Sequence, residues 1–159
     1  MTTLYVTERA WQQIEQAVTK NPSVETGGIL MGYKLNEDWV VSYASEPGPR
    51  AIKERKTVVF DENHLRNLTA KLKLRSAGRL RYIGDWHSHT VKRLAPSQGD
   101  RKTFALKTYQ ETYQSPSPIM LIVGMHRRGI RVKGYIYGGR LREVDKVILV
   151  GKQGSRQLN

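Results

Sequence analysis

The run Gly27-Gly28-Ile29-Leu30-Met31-Gly32-Tyr33 is apolar at successive positions instead of alternate ones. A strand of this kind is covered on both faces, so it belongs at the centre of a sheet with a packed layer on each side. The spacing of Ala10, Trp11, Ile14, Ala17 and Val18 supplies one such layer. It predicts an amphipathic helix from about Thr7 to Lys20, capped by Thr7 and stopped at Asn21-Pro22. Leu65, Leu68, Leu72 and Ala77 predict a second helix from Asp61 to about Ala77, with Gly78 as its C-cap. A third helix is expected from Ser97 to about Tyr113, with Phe104, Ala105, Leu106 and Tyr109 inward, broken by Ser115-Pro116-Ser117-Pro118.

The strands around the central run are expected at Trp39 to Ala44, Thr57 to Phe60, Leu80 to Trp86, Ile119 to Gly124, Gly129 to Tyr137 and Arg142 to Val150. Gly138-Gly139 suits a tight hairpin turn. The fold class is therefore α/β, an α+β mixed sheet flanked by helices. With 159 residues, 38% of them hydrophobic, the chain is expected to form one domain over residues 1–150, with 151–159 as a flexible C-terminal tail.

Composition narrows the chemistry. The chain contains no cysteine, which removes disulfides, thiolate ligands and cysteine nucleophiles. Its opening residues lack the pattern of a signal peptide and no apolar run reaches membrane-spanning length, so a cytoplasmic location is expected. There are 27 Lys and Arg against 14 Asp and Glu, for a net charge of +13. That excess favours an anionic partner, an acidic protein surface or nucleic acid, although no nucleic-acid-binding signature accompanies it. Much of the excess lies at Arg50 to Lys56, Lys71 to Arg81, Lys92-Arg93, Arg127 to Lys133 and the C-terminal end.

Two of the four histidines stand one residue apart in Trp86-His87-Ser88-His89-Thr90. On a helix they would diverge by about 200°; on extended backbone they share a side and can converge on one ion. Asp100 follows in the first turn of the next expected helix, where Ser97 would be the N-cap and Asp100 would complement the helix dipole. Two imidazoles and a carboxylate are the protein ligands of a catalytic zinc that keeps a fourth position open. Glu25, just ahead of the central strand, is the candidate general base. His64 and His126 are expected to be solvated, and Trp11, Trp39 and Trp86 to be core or rim.

Glu25, Gly27-Gly28-Ile29-Leu30-Met31-Gly32, His87-Ser88-His89, Ser97 and Asp100 together resemble the signature of the JAMM (MPN) metalloprotease family, in its bacterial single-domain form. The ten residues between His89 and Asp100 match that family's spacing. The resemblance implies a three-layer architecture similar to the cytidine deaminases. It implies that His87, His89 and Asp100 ligate Zn2+, that Glu25 accepts a proton from water, and that Ser97 stabilises the oxyanion. It further implies isopeptidase or peptidase action after the C-terminal glycine of a ubiquitin-like protein, whose conjugate would be the substrate, in an operon that can include activating- and conjugating-enzyme homologues. The alternatives are a catalytically silent scaffold of the same fold and a basic nucleic-acid-binding module. Thr90 departs from the pattern, standing where the family has a proline that fixes φ.

Overall fold

A computed structural model describes residues 1–100, 117–126 and 129–159. Among these, eleven strands and two long helices follow the order β1 (Thr3–Thr7), α1 (Glu8–Lys20), β2 (Gly27–Leu35), β3 (Asp38–Ala44), β4 (Ile52–Lys53), β5 (Val58–Val59), α2 (Glu62–Arg75), β6 (Arg81–His89), β7 (Ile119–His126), β8 (Gly129–Tyr137), β9 (Leu141–Glu143), β10 (Lys146–Gly151) and β11 (Gly154–Gln157). Nine of the strands form one mixed sheet in the order β11-β10-β1-β3-β2-β6-β7-β8-β9, and β4 and β5 form a separate hairpin. The apolar run is the middle strand of the nine, as its two-sided hydrophobicity requires.

The two faces of β2 show why. Leu30 joins a core with Ala10, Trp11, Ile14, Ala17 and Val18 of α1. Its neighbours Ile29 and Met31 point the other way, into a core with Leu65 of α2 and Tyr82. The sheet thus lies between α1 and α2 in three layers. The Thr7 side chain caps α1, its hydroxyl accepting the Ala10 amide at 3.3 Å, and the five expected apolar residues are the buried ones. Trp86 is wholly buried, its indole N–H donating to the Ser45 carbonyl at 2.8 Å.

Several expectations are corrected. Thr3–Thr7, ahead of the first expected element, is a strand, β1, running parallel to both β3 and β10. The expected strand from Arg142 to Val150 is two strands at opposite sides of the sheet. Val144 turns its amide to the Gly134 carbonyl, Asp145 exchanges hydrogen bonds with Thr2, and the chain crosses from β8 to β1. The expected short strand at Thr57 to Phe60 is β5, outside the main sheet. Within residues 151–159, expected as a tail, β11 pairs antiparallel with β10, and Leu158 packs on the main core while its amide donates to the Val147 carbonyl. The free edge of β10 supplies the hydrogen-bonding groups that order this segment. The expected third helix beyond residue 100, and Arg127-Arg128, lie outside the described residues.

β6 is longer than expected. It continues past Trp86 to His89, because β7 keeps pairing beside it, Ser88 with Val123 and His89 with Gly124. On its other side β2 pairs Gly27 with His87. A Cβ on Gly27 would collide with the Trp86 carbonyl and the His87 side chain, so glycine is what lets the two strands close at that point.

Gly27→Ala is therefore expected to lower stability by about 1–3 kcal/mol in denaturant unfolding. Gly138→Ala, in a turn with open space around its Cβ position, is the control and is expected to be neutral.

Candidate metal centre

The site is built from the ends of two central strands and one helical turn. Because β6 is extended through His89, His87 and His89 project from one face, and Ser88 projects from the other. The Ser88 hydroxyl accepts the Thr26 amide at 2.9 Å, and the Ser88 amide donates to the Thr26 carbonyl at 2.8 Å. This lock sits next to Glu25 and sets that residue beside the histidine pair. Glu25, His87 and His89 each bring a ligand-type atom to within 4.8 Å of the other two.

Asp100 arrives by a capping box. Residues 98–100 are helical. The Ser97 hydroxyl accepts the Asp100 amide at 3.1 Å, and Asp100 Oδ2 accepts the Ser97 amide at 2.7 Å. The same Oδ2 lies 3.2 Å from His87 Nε2 and 3.8 Å from His89 Nε2, and the two Nε2 atoms are 2.9 Å apart. One residue thus serves as helix cap and faces the histidines. All five residues singled out in the sequence, Glu25, His87, His89, Ser97 and Asp100, meet here. Four of them, Glu25, His89, Ser97 and Asp100, line a cleft of roughly 610 Å³.

The three separations test the fit of an ion. Tetrahedral coordination with bonds of roughly 2.0–2.2 Å places ligand atoms about 3.3–3.6 Å apart, which falls within the observed 2.9–3.8 Å. The tautomer fits as well. His89 Nδ1 lies 2.9 Å from the Arg93 carbonyl, a group that only accepts, so in the neutral ring Nδ1 carries the hydrogen and Nε2 is left with a lone pair for an ion.

Electrostatics separate the two carboxylates. Burial pushes the Glu25 carboxyl above its ordinary value, and the Asp100 charge adds to this, against the opposing pull of His87 and His89. Burial acts on Asp100 in the same direction, but hydrogen bonds from His87, His89 and the Ser97 amide prevail and hold it far below the usual carboxylate range. Burial of His89 acts to lower its value, yet hydrogen bonds to Asp100 and the Arg93 carbonyl, with the Glu25 charge, leave it raised.

Other expectations divide. His64 is exposed on α2. His126 is not a solvated turn residue: β7 runs on to include it, and its Nε2 is buried without a hydrogen-bond partner among the described residues. Sequence reasoning missed Ser88 and Thr26, which register Glu25 against the histidines. The available signal was strand parity, since a residue between two site residues must face the opposite side. Sequence reasoning expected a strand at Thr57 to Phe60 but missed its pairing with β4 and that Thr57, Val58 and Val59 wall the cleft.

Comparison with known proteins shows the family and the fold. Residues 7–133 match the family of prokaryotic homologs of the JAB domain. The chain is 33% identical over 100 residues to a Vibrio cholerae protein named CD-NTase/cGAS isopeptidase, covering 63% of this chain and 62% of that one. An Escherichia coli protein of the same name is 30% identical over 67% of this chain and 65% of its own length. The chain thus spans a little under two thirds of these relatives. A Desulfitobacterium hafniense protein solved in solution shares the fold, with a TM-score of 0.66 at 20% identity, over 94% of this chain and 92% of that one. The chain belongs to the prokaryotic JAB-domain family.

Proposed function

We propose that this chain is a zinc-dependent isopeptidase that releases a protein joined to the C-terminal glycine of a ubiquitin-like protein. The observation that carries the reading is the convergence of His87 Nε2, His89 Nε2 and Asp100 Oδ2, 2.9–3.8 Å apart, with the Glu25 carboxylate beside them. Asp100, held anionic, is suited to ligation with His87 and His89. Glu25, with its affinity for a proton raised by burial, is suited to general base work. A zinc ion held by His87, His89 and Asp100 would supply Lewis acidity toward the scissile carbonyl and lower the pKa of water to about 7.

The remaining work falls to the chain's own side chains. Glu25 takes a proton from the attacking water and returns it to the departing lysine or α-amine nitrogen. The Ser97 oxygen already accepts the Asp100 amide, so its hydroxyl hydrogen is free to donate to the oxyanion. The relatives' name makes a CD-NTase or cGAS conjugate the substrate class we assign. The charge supports an acidic conjugate: Lys56 and Arg93, from basic clusters far apart in sequence, both line the cleft. Among the described residues no helix is long and apolar enough to cross a membrane.

Glu25→Gln is expected to retain zinc, measured by elemental analysis, and to lose about 10²–10⁴-fold in cleavage rate. Ser97→Ala is expected to lose on the order of 10²–10³-fold, and Ser97→Thr, which keeps cap and hydroxyl, to retain most of the rate. Unchanged cleavage by Glu25→Gln would contradict the base assignment.

Zinc affinity, measured against a competing chelator, is expected to fall with falling pH. The ion needs unprotonated Nε2, and a raised His89 value makes proton competition begin above the ordinary histidine range. For the metal-free protein the linkage has the opposite sign. His89 stabilises the fold below its ordinary value, and that contribution is lost as pH rises through its raised value.

A further inference from the structure

The β4–β5 hairpin has little to hold it in place. Its ladder is two residue pairs, Ile52 with Val59 and Lys53 with Val58, and Ile52 and Val59 are each about half exposed. A hairpin this short has marginal stability by itself. Yet Lys56, Thr57, Val58 and Val59 form one wall of the cleft that holds Glu25, His89, Ser97 and Asp100. Phe60, next after Val59, packs on the core around Ile29 and Leu65, and the rest of the wall is held by hydrogen bonds.

Two hydrogen bonds reach the hairpin tip from the metal centre. The Glu25 amide donates to the Glu54 carbonyl at 2.7 Å. The hydroxyl of Thr90, the residue that follows His89, donates to the next carbonyl, that of Arg55, at 2.6 Å. Within the tip the Glu54 amide donates to the Thr57 carbonyl at 2.8 Å. Consecutive carbonyls of the tip are therefore held by residues of the site, one through backbone and one through a side chain. A proline at position 90 would have no hydroxyl to offer.

We propose that Thr90 is a positioning residue whose hydroxyl latches the Arg55 carbonyl and so holds the 52–59 hairpin in place as a preformed wall of the substrate cleft. Stiffness that a proline would give the loop is exchanged here for a tether between the loop and the opposite wall. The substrate part of this inference rests on the isopeptidase reading above; the latch itself does not.

Arg55 and Lys56 are both exposed and both are trypsin sites, and the latched carbonyl is the one trypsin would attack after Arg55. In Thr90→Val, close in shape but without the hydroxyl, nicking after Arg55 and Lys56, followed by mass spectrometry, is expected to quicken about fivefold, the effect of one hydrogen bond. Exchange of the Glu54 amide is expected to quicken by a similar factor. Thr90→Ser restores both to wild-type rates, and zinc content is the same in all three proteins. With a reporter fused to the C-terminal glycine of a bacterial ubiquitin-like protein, Thr90→Val raises KM and leaves kcat within about twofold, the pattern of lost uniform binding.

Wild-type nicking and exchange in Thr90→Val, or failure of Thr90→Ser to restore them, would overturn the latch. An unchanged KM in a nicked Thr90→Val variant would overturn its role in the cleft. A wild-type chain that cleaves no fusion but shows Thr90-dependent nicking would instead overturn the isopeptidase reading and leave the latch standing.

Discussion

The site depends on the two-residue parity of an extended strand. If β6 ended at Trp86, nothing would force His87 and His89 to the same side. Because β2 and β7 pair with it on both sides as far as the histidines, backbone hydrogen bonds fix their shared direction. They also fix the opposite direction of Ser88, whose bonds to Thr26 carry the register across to Glu25. The constraint is strong because a slip of one residue would turn both imidazoles into the α1-side core. The close approach at Gly27 belongs to the same constraint, since a side chain there would separate the strands at the level of His87.

Asp100 is fixed by different means. Its carboxylate is aimed by a local motif, the reciprocal bonds with Ser97, so its direction is set within four residues of chain. The strand pair supplies two nitrogens from long-range pairing, and the helical turn supplies an oxygen from short-range capping. The two carboxylates then differ in chemistry because their neighbours differ. Asp100 Oδ2 receives an amide and faces both rings, whereas Glu25 sits in partial burial with weaker compensation. One cleft thus holds two carboxyl groups whose proton affinities are shifted in opposite directions by their surroundings.

Much of this was legible in the sequence, for identifiable reasons. The α1 face, the central position of β2 and the Gly138-Gly139 turn each rest on periodicity or turn chemistry contained within a dozen residues. The five site residues were legible as types and spacings. Elements set by distant partners were not. β1 and β11 are short strands ordered by the edges of β10 and β3, and the break at Val144-Asp145 is made by Gly134 and Thr2. The bonds of Ser88 and Thr90 span 62 and 35 residues, and a hydroxyl-to-backbone bond over such a distance leaves no pattern in the chain. Thr90 read as a departure from its family; the structure shows it tied to the wall of the cleft.

The central claim is the division of labour between two carboxylates that share one histidine pair, and Glu25 competes with Asp100 for the third ligand position. Anomalous diffraction at the zinc edge from zinc-loaded crystals tests it most directly. The account predicts one ion bonded at about 2.0–2.2 Å to His87 Nε2, His89 Nε2 and Asp100 Oδ2, with the Glu25 carboxylate outside the coordination shell. An ion bonded to Glu25 with Asp100 left to its helix cap would contradict it.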